Sequence, residues 1–131
     1  MNETEMGKCN RGRGFGGSFG FAGSGLAYLV RTQRNARIEI FAGAAACALA
    51  AWLRIGRLEW AILAITIAMV LSLEGINTAI EAAVDLSTPQ KNPLAKVCKD
   101  LAAGMVLLGA VASVAVGVLI LGIPLWNRLV K

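Results

Sequence analysis

Four polar side chains in an otherwise apolar stretch hold the chemistry of this sequence: Glu74, Asn77, Glu81 and Asp85. On a helix turning about 100° per residue, Asn77 lies about 60° to one side of Glu74. Glu81 lies about 20° to that side and Asp85 about 20° to the other, so the four share a stripe about 80° wide and about 16 Å long. A carboxylate at the middle of a membrane helix costs roughly 2.5–3.5 kcal/mol on insertion. Chance would scatter such groups around the helix. A single stripe implies a single site, facing protein or a watery cavity. Like charges this close resist joint ionisation unless a cation or a basic partner sits among them. Oxygen ligands without His or Cys suit Mg²⁺, usually alongside substrate phosphates. The competing use of such groups, above all of Asn77, is as polar glue between packed helices.

Two further places have the right residue types. Lys96, Lys99 and Asp100 follow a proline-bounded loop, where they fit either a boundary ion pair or a grip on phosphate. Glu39 stands at the start of the first apolar run and reads either as a third candidate or as an interfacial charge paired with Arg34 or Arg37. The chain has no histidine, which excludes a Ser-His-Asp triad, a His-containing zinc site and a His base together. Cys9, Cys47 and Cys98 form no C-x-x-C pair, and Cys47 reads as packing in an apolar run. The stretch Gly12-Arg-Gly14-Phe-Gly16-Gly17 matches G-x-G-x-x-G but lacks both the preceding strand and the following helix that give this pattern its use, so it reads as tail. No P-loop or protein-kinase signature is present.

The elements that must position these residues follow from composition. Of 131 residues, 56% are apolar and 16% charged, and the mean hydropathy is +0.64. Soluble domains carry roughly 25% charge, so a small all-α membrane protein is expected. Leu101 to Asn127 is uncharged for 27 residues, enough for a span. Ile40 to Leu53 is uncharged for 14 and spans only with Glu39 and Arg54 at the interfaces. The third run starts at Trp60 and passes through the polar stripe. The spacing predicts spans at about 38–54, 59–86 and 97–123, preceded by a helix at about 18–37 along the interface. Residues 1–17 are expected as a basic Gly-rich tail, 18–127 as one domain and 128–131 as a tail. The glycines and serines between Phe15 and Val30 leave no core for a cleaved leader. With the N-terminus in the cytoplasm, that side holds nine Lys and Arg against four, the orientation favoured for a cytoplasmic membrane. The net charge of +5 then reads as orientation and phosphate contact, and nucleic acid is not needed to explain it. Gly109, Ser113 and Gly117 form a small-residue seam for close helix packing. Three spans are too few to enclose a polar site, which points to a homo-oligomer with shared sites.

Several blocks resemble the prokaryotic diacylglycerol kinase family, which includes undecaprenol kinases. They are Arg31-Thr-Gln-Arg-Asn-Ala-Arg-Ile38, Arg57-Leu-Glu-Trp60, Glu74-Gly-Ile-Asn77-Thr-Ala-Ile-Glu81-Ala-Ala-Val-Asp85, Pro93-Leu-Ala-Lys96 and Lys99-Asp-Leu-Ala-Ala-Gly104. The resemblance covers roughly residues 18–122. It implies a homotrimer of three-span subunits, each with an amphipathic surface helix, and transfer of the ATP γ-phosphoryl group to a membrane lipid hydroxyl. It makes Glu74 the general base, Asn77 a residue that helps orient the site and Glu81 a ligand of Mg²⁺. Gln33, Glu81, Asp85, Lys99 and Asp100 would line the ATP site, and Glu74, Arg37 and Ala103 the lipid site. One departure matters: well-known family members carry Glu at the position of Gln33, where it shares the metal with the residue at Glu81, while other members resemble this chain in carrying Gln. Gln33 offers a carbonyl oxygen without charge. The acceptor, undecaprenol or diacylglycerol, stays open. The alternatives are a small proton-coupled transporter, which the Glu74 stripe alone would permit, and a catalytically weak homologue, motivated by Gln33.

Overall fold

Helices make up nearly all of residues 15–87 and 92–130, which are the residues the computed structural model describes, with side chains from 18 onward. In chain order they are α1 (Phe15–Thr32), α2 (Arg34–Leu53), α3 (Arg57–Ser87) and α4 (Pro93–Gly117), then a π turn (Val118–Gly122) and α5 (Ile123–Leu129). No strand occurs among the described residues. Three stretches are long and apolar enough to cross a membrane: Arg34–Leu53, Arg57–Ser87 and Pro93–Leu129.

The ends of these helices have local causes. Arg54 closes α2 in the left-handed conformation (φ 54°, ψ 48°), its N–H reaching back to the last carbonyls. Gly56 stands just before α3, and its N–H donates to Glu59 Oε2 at 2.5 Å. That is the return half of a capping box, with Glu59 three residues into the helix. At the start of α4, Asn92 Oδ1 accepts from the Leu94 N–H at 2.9 Å and Pro93 takes the first turn, where its missing N–H costs nothing. Pro124 cannot donate to the turn before it, and the chain opens there into the π turn without ending the helix. Arg128 on α5 then stacks 4.5 Å from the Trp52 ring and donates to the Trp52 carbonyl at 2.9 Å, tying α5 to the end of α2.

Several boundaries differ from expectation. The helix expected over 18–37 runs from Phe15 only to Thr32. Gln33 is extended (φ −97°, ψ 118°) and caps α2, so Arg34 and Arg37 ride on the first membrane helix. Ala36 explains this in part: it is fully buried, which commits the turn around it to packing. The first span therefore starts at 34, the second runs 57–87, and the third starts at 93 and continues as helix to 129, into the expected tail. The tail reading of 1–17 lies outside the described residues up to 14. At Phe15 the chain is already helical. Where one domain was expected over 18–127, the chain divides after Thr32 into two compact units, the second being Gln33–Lys131.

Within the second unit, α3 packs more extensively along α4 than along α2. Ala50, Leu63, Ile120 and Leu121 form a buried core with Trp60, Ile67 and Val116 around it. This core lies toward the α2–α3 turn, away from the acidic stripe. The small-residue seam is used unevenly. At Gly109 a Cβ would stand 2.5 Å from Leu73 Cδ1, while at Gly117 it would meet nothing within 4 Å. Gly109→Val is therefore expected to destabilise the bundle by about 1–3 kcal/mol through overpacking, and Gly109→Ala by less, because the tip of Leu73 can turn away. Thermal unfolding in detergent checks both.

Candidate functional site

The polar stripe lies on one unbroken helix, α3, so its four side chains hold the register that the sequence implies. Glu74 is only 2% exposed, and Thr66 is the other buried polar residue described. A buried carboxylate without a partner is expensive. Glu74 Oε2 has no hydrogen-bond partner. The Thr78 hydroxyl donates to the Glu74 backbone carbonyl at 2.9 Å, so it does nothing for the carboxylate.

One turn further, Asn77 Nδ2 donates to Glu81 Oε1 at 3.2 Å, leaving Asn77 Oδ1 buried and unpartnered. Glu39 Oε2, on α2, is the third buried oxygen in that condition. Glu39 lies within electrostatic range of Glu74, and Glu74 within range of Glu81. All three orphaned atoms are acceptors, so the site lacks donors and positive charge.

Past Glu81 the stripe reaches solvent. Asp85 Oδ1 accepts from Lys99 Nζ at 2.5 Å, a bridge from α3 to α4, and Lys96 pairs with Asp100 within α4. Both pairs are exposed enough to add little stability. Their consequence is local: Lys99 is held beside the stripe by Asp85, a carboxylate that an incoming anion would have to displace.

Gln33 is half-buried at the break before α2, and Arg37 and Ala103 are exposed. The structure thus brings Glu74, Asn77 and Glu81 together and joins Asp85 to Lys99. Among the described residues, no hydrogen bond or ion pair links Gln33, Arg37 or Ala103 to them. Among the described residues, no group of three or more Cys, Asp or Glu side chains is arranged to hold a metal. Glu39 is the residue that sequence reasoning undervalued. It was weighed both as a third site candidate and as an ion-pair partner of Arg34 or Arg37, and no such pair occurs among the described residues. The available signal was a carboxylate in an apolar helix whose neighbours needed no charge.

The family model described as prokaryotic diacylglycerol kinase matches residues 20–121. The chain is 45% identical over 114 residues to a diacylglycerol kinase of Synechocystis sp., covering 86% of this chain and 65% of that one. It is 44% identical over 103 residues to an undecaprenol kinase of Bacillus subtilis, covering 79% and 84%. A diacylglycerol kinase of Helicobacter pylori is 38% identical over 63 residues, 48% of this chain and 49% of its own. The chain thus spans just under two thirds of the Synechocystis relative's length and most of the Bacillus one. A match through the polar stripe, both flanking helices and the Lys99-Asp100 block is shared by sequences of one descent: the chain belongs to the prokaryotic diacylglycerol kinase family.

Proposed function

We propose that this chain is a lipid kinase that moves the γ-phosphoryl group of ATP to the hydroxyl of a membrane lipid, undecaprenol or diacylglycerol. The observation that carries the reading is the buried Glu74 carboxylate with its Oε2 unpartnered, alongside two further orphaned acceptors. A lipid hydroxyl supplies the donor that this arrangement lacks. Glu74 takes its proton as the oxygen attacks phosphorus, and the bond from the γ-phosphorus to the ADP oxygen breaks. Little covalent work is left to the protein, because phosphoryl transfer is mostly positioning and charge neutralisation.

Mg²⁺ fits the oxygen donors here as an ion carried in on the nucleotide. The described residues offer no three-ligand cage, and Mg²⁺ normally takes one or two carboxylates plus phosphates and water. Glu81 would hold it, with the Gln33 amide oxygen as a second ligand, and when bound it neutralises charge on the phosphates. Asn77 fixes one Glu81 oxygen and so orients that carboxylate. Asp85, Lys99 and Asp100 line the nucleotide side, where phosphate would compete with Asp85 for Lys99. Arg37 and Ala103 border the lipid.

The protein is read as a homotrimer with sites completed between copies, an interfacial α1, and its N-terminus and active site at the cytoplasmic face of a bacterial membrane. The nine-to-four division of Lys and Arg supports that orientation. A transporter is not favoured by the family match. Gln33 keeps open a weaker kinase with reduced metal affinity.

The test is direct. Purified protein in mixed micelles with Mg·ATP is expected to phosphorylate undecaprenol or diacylglycerol, read as labelled lipid phosphate. Absence of lipid-dependent ATP consumption with both acceptors would overturn the reading.

A further inference from the structure

A cavity of about 450 Å³ lies among α2, α3 and α4. Its walls include Glu39 and Gly43 on α2, Leu63 and Leu71 on α3, and Ser113 and Gly117 on α4. Its volume is within the roughly 300–1,000 Å³ usual for small-molecule pockets. From Leu63 to Leu71 it follows α3 for about 12 Å at ~1.5 Å per residue.

The polar atoms on its walls are unevenly committed. The Ser113 hydroxyl donates to the Ala110 carbonyl at 2.8 Å, and Thr66 donates to the Ile62 carbonyl at 2.8 Å. Both are spent within their own helices. Glu39 Oε2 is the wall oxygen left without a partner. The cavity is therefore apolar along its length, with one polar end. That end meets the site described above: Leu71 is one turn from Glu74 on α3, and Glu39 interacts electrostatically with Glu74.

Within the apolar thickness of a bilayer there is no water to fill such a space. What fits is hydrocarbon with a hydroxyl at the Glu39 end. We propose that the cavity takes one hydrocarbon chain of the lipid acceptor, and that Gly117 and Gly43 set how far and how bulky a chain can run. A second chain, where the acceptor has one, stays outside. The proposal rests on the kinase reading and adds a chain filter to it.

Gly117→Leu is the test variant, because Gly117 lines the cavity and a Cβ there meets nothing within 4 Å. Each enzyme is assayed with farnesol against undecaprenol and with dihexanoylglycerol against dioleoylglycerol. The expected result is a rise in KM at least tenfold greater for the long member of the accepted pair than for the short one. The KM for ATP should not change. An equal effect on long and short acceptors, or none, overturns the proposal. So does a change of oligomeric state in micelles, which would make the cavity a seat for a second copy of the chain. Gly117→Ala and Ala46→Val, smaller steps on the same walls, give the same comparison should the leucine variant fail to fold. If wild type phosphorylates no lipid, the kinase reading itself has failed. If wild type is active and the chain profile is unmoved, only the filter has.

Discussion

Glu74→Gln is expected to lower lipid-dependent turnover by about 10²–10⁴-fold, the range that a positioned general base contributes. The two side chains have nearly the same shape, so the effect isolates the proton. A carboxamide cannot accept it from the lipid hydroxyl. Stability should not fall with activity. Glu74 is buried with one oxygen unpartnered, and Asn77 Oδ1 and Glu39 Oε2 are unpartnered acceptors as well. The amide of glutamine adds a donor to a site that has none to spare and removes a charge that burial penalises. Glu74→Asp separates position from chemistry. It keeps the carboxylate but withdraws it by about 1 Å, a displacement that can cost ~10²-fold. The decisive readings are single-turnover phosphorylation of lipid, the KM for ATP and helix content. A Gln variant that keeps turnover within a few-fold of wild type would remove Glu74 from the role of base.

How far the sequence reaches depends on what holds each feature. The stripe on α3 was fully legible, because it needs only helical geometry and the expense of acid in an apolar run. The three membrane helices were legible for the same reason, from apolar length alone. Their ends were less so. The break at Gln33 has no proline or glycine to announce it, and the sequence reads smoothly from the basic residues into the apolar run. The π turn and α5 were hidden differently: Pro124 was visible, but a proline can end a helix or widen one turn, and the contact of Arg128 with Trp52 lies across 76 residues. Glu39 was left between two readings because Arg34 and Arg37 stood near it in sequence. Near neighbours on a helix look like ion-pair partners until packing turns the carboxylate toward another helix. The Asp85–Lys99 bridge is a tertiary contact of the same kind, and only the helix blocks that carry it were readable. Gly109 and Gly117 share a seam in sequence, yet one sits against Leu73 and the other borders open space.

The second large effect is expected at Glu81, and Gln33 makes it testable in both directions. Glu81→Gln keeps an oxygen that can accept from Asn77 Nδ2, so the local hydrogen bond should survive. What goes is the charge that would meet the nucleotide-borne Mg²⁺. Turnover should fall by about 10²–10³-fold, as when one preorganised electrostatic stabiliser is removed from a reacting centre. The half-saturating Mg²⁺ concentration should rise with it. Asn77→Ala acts through Glu81, by freeing the carboxylate it holds. Loss of a partner that orients a metal ligand typically costs 10–100-fold in affinity or activity. Gln33→Glu should act in the opposite sense, lowering the half-saturating Mg²⁺ concentration by roughly tenfold, about 1.4 kcal/mol. The double variant tests whether the two positions serve one ion. If they do, the gain from Gln33→Glu is larger when Glu81 is Gln than when it is Glu, because the added carboxylate replaces the missing one and no longer crowds it. Equal gains in both backgrounds would mean that Gln33, half-buried at the start of α2, acts outside the metal site and that Glu81 holds the ion without it.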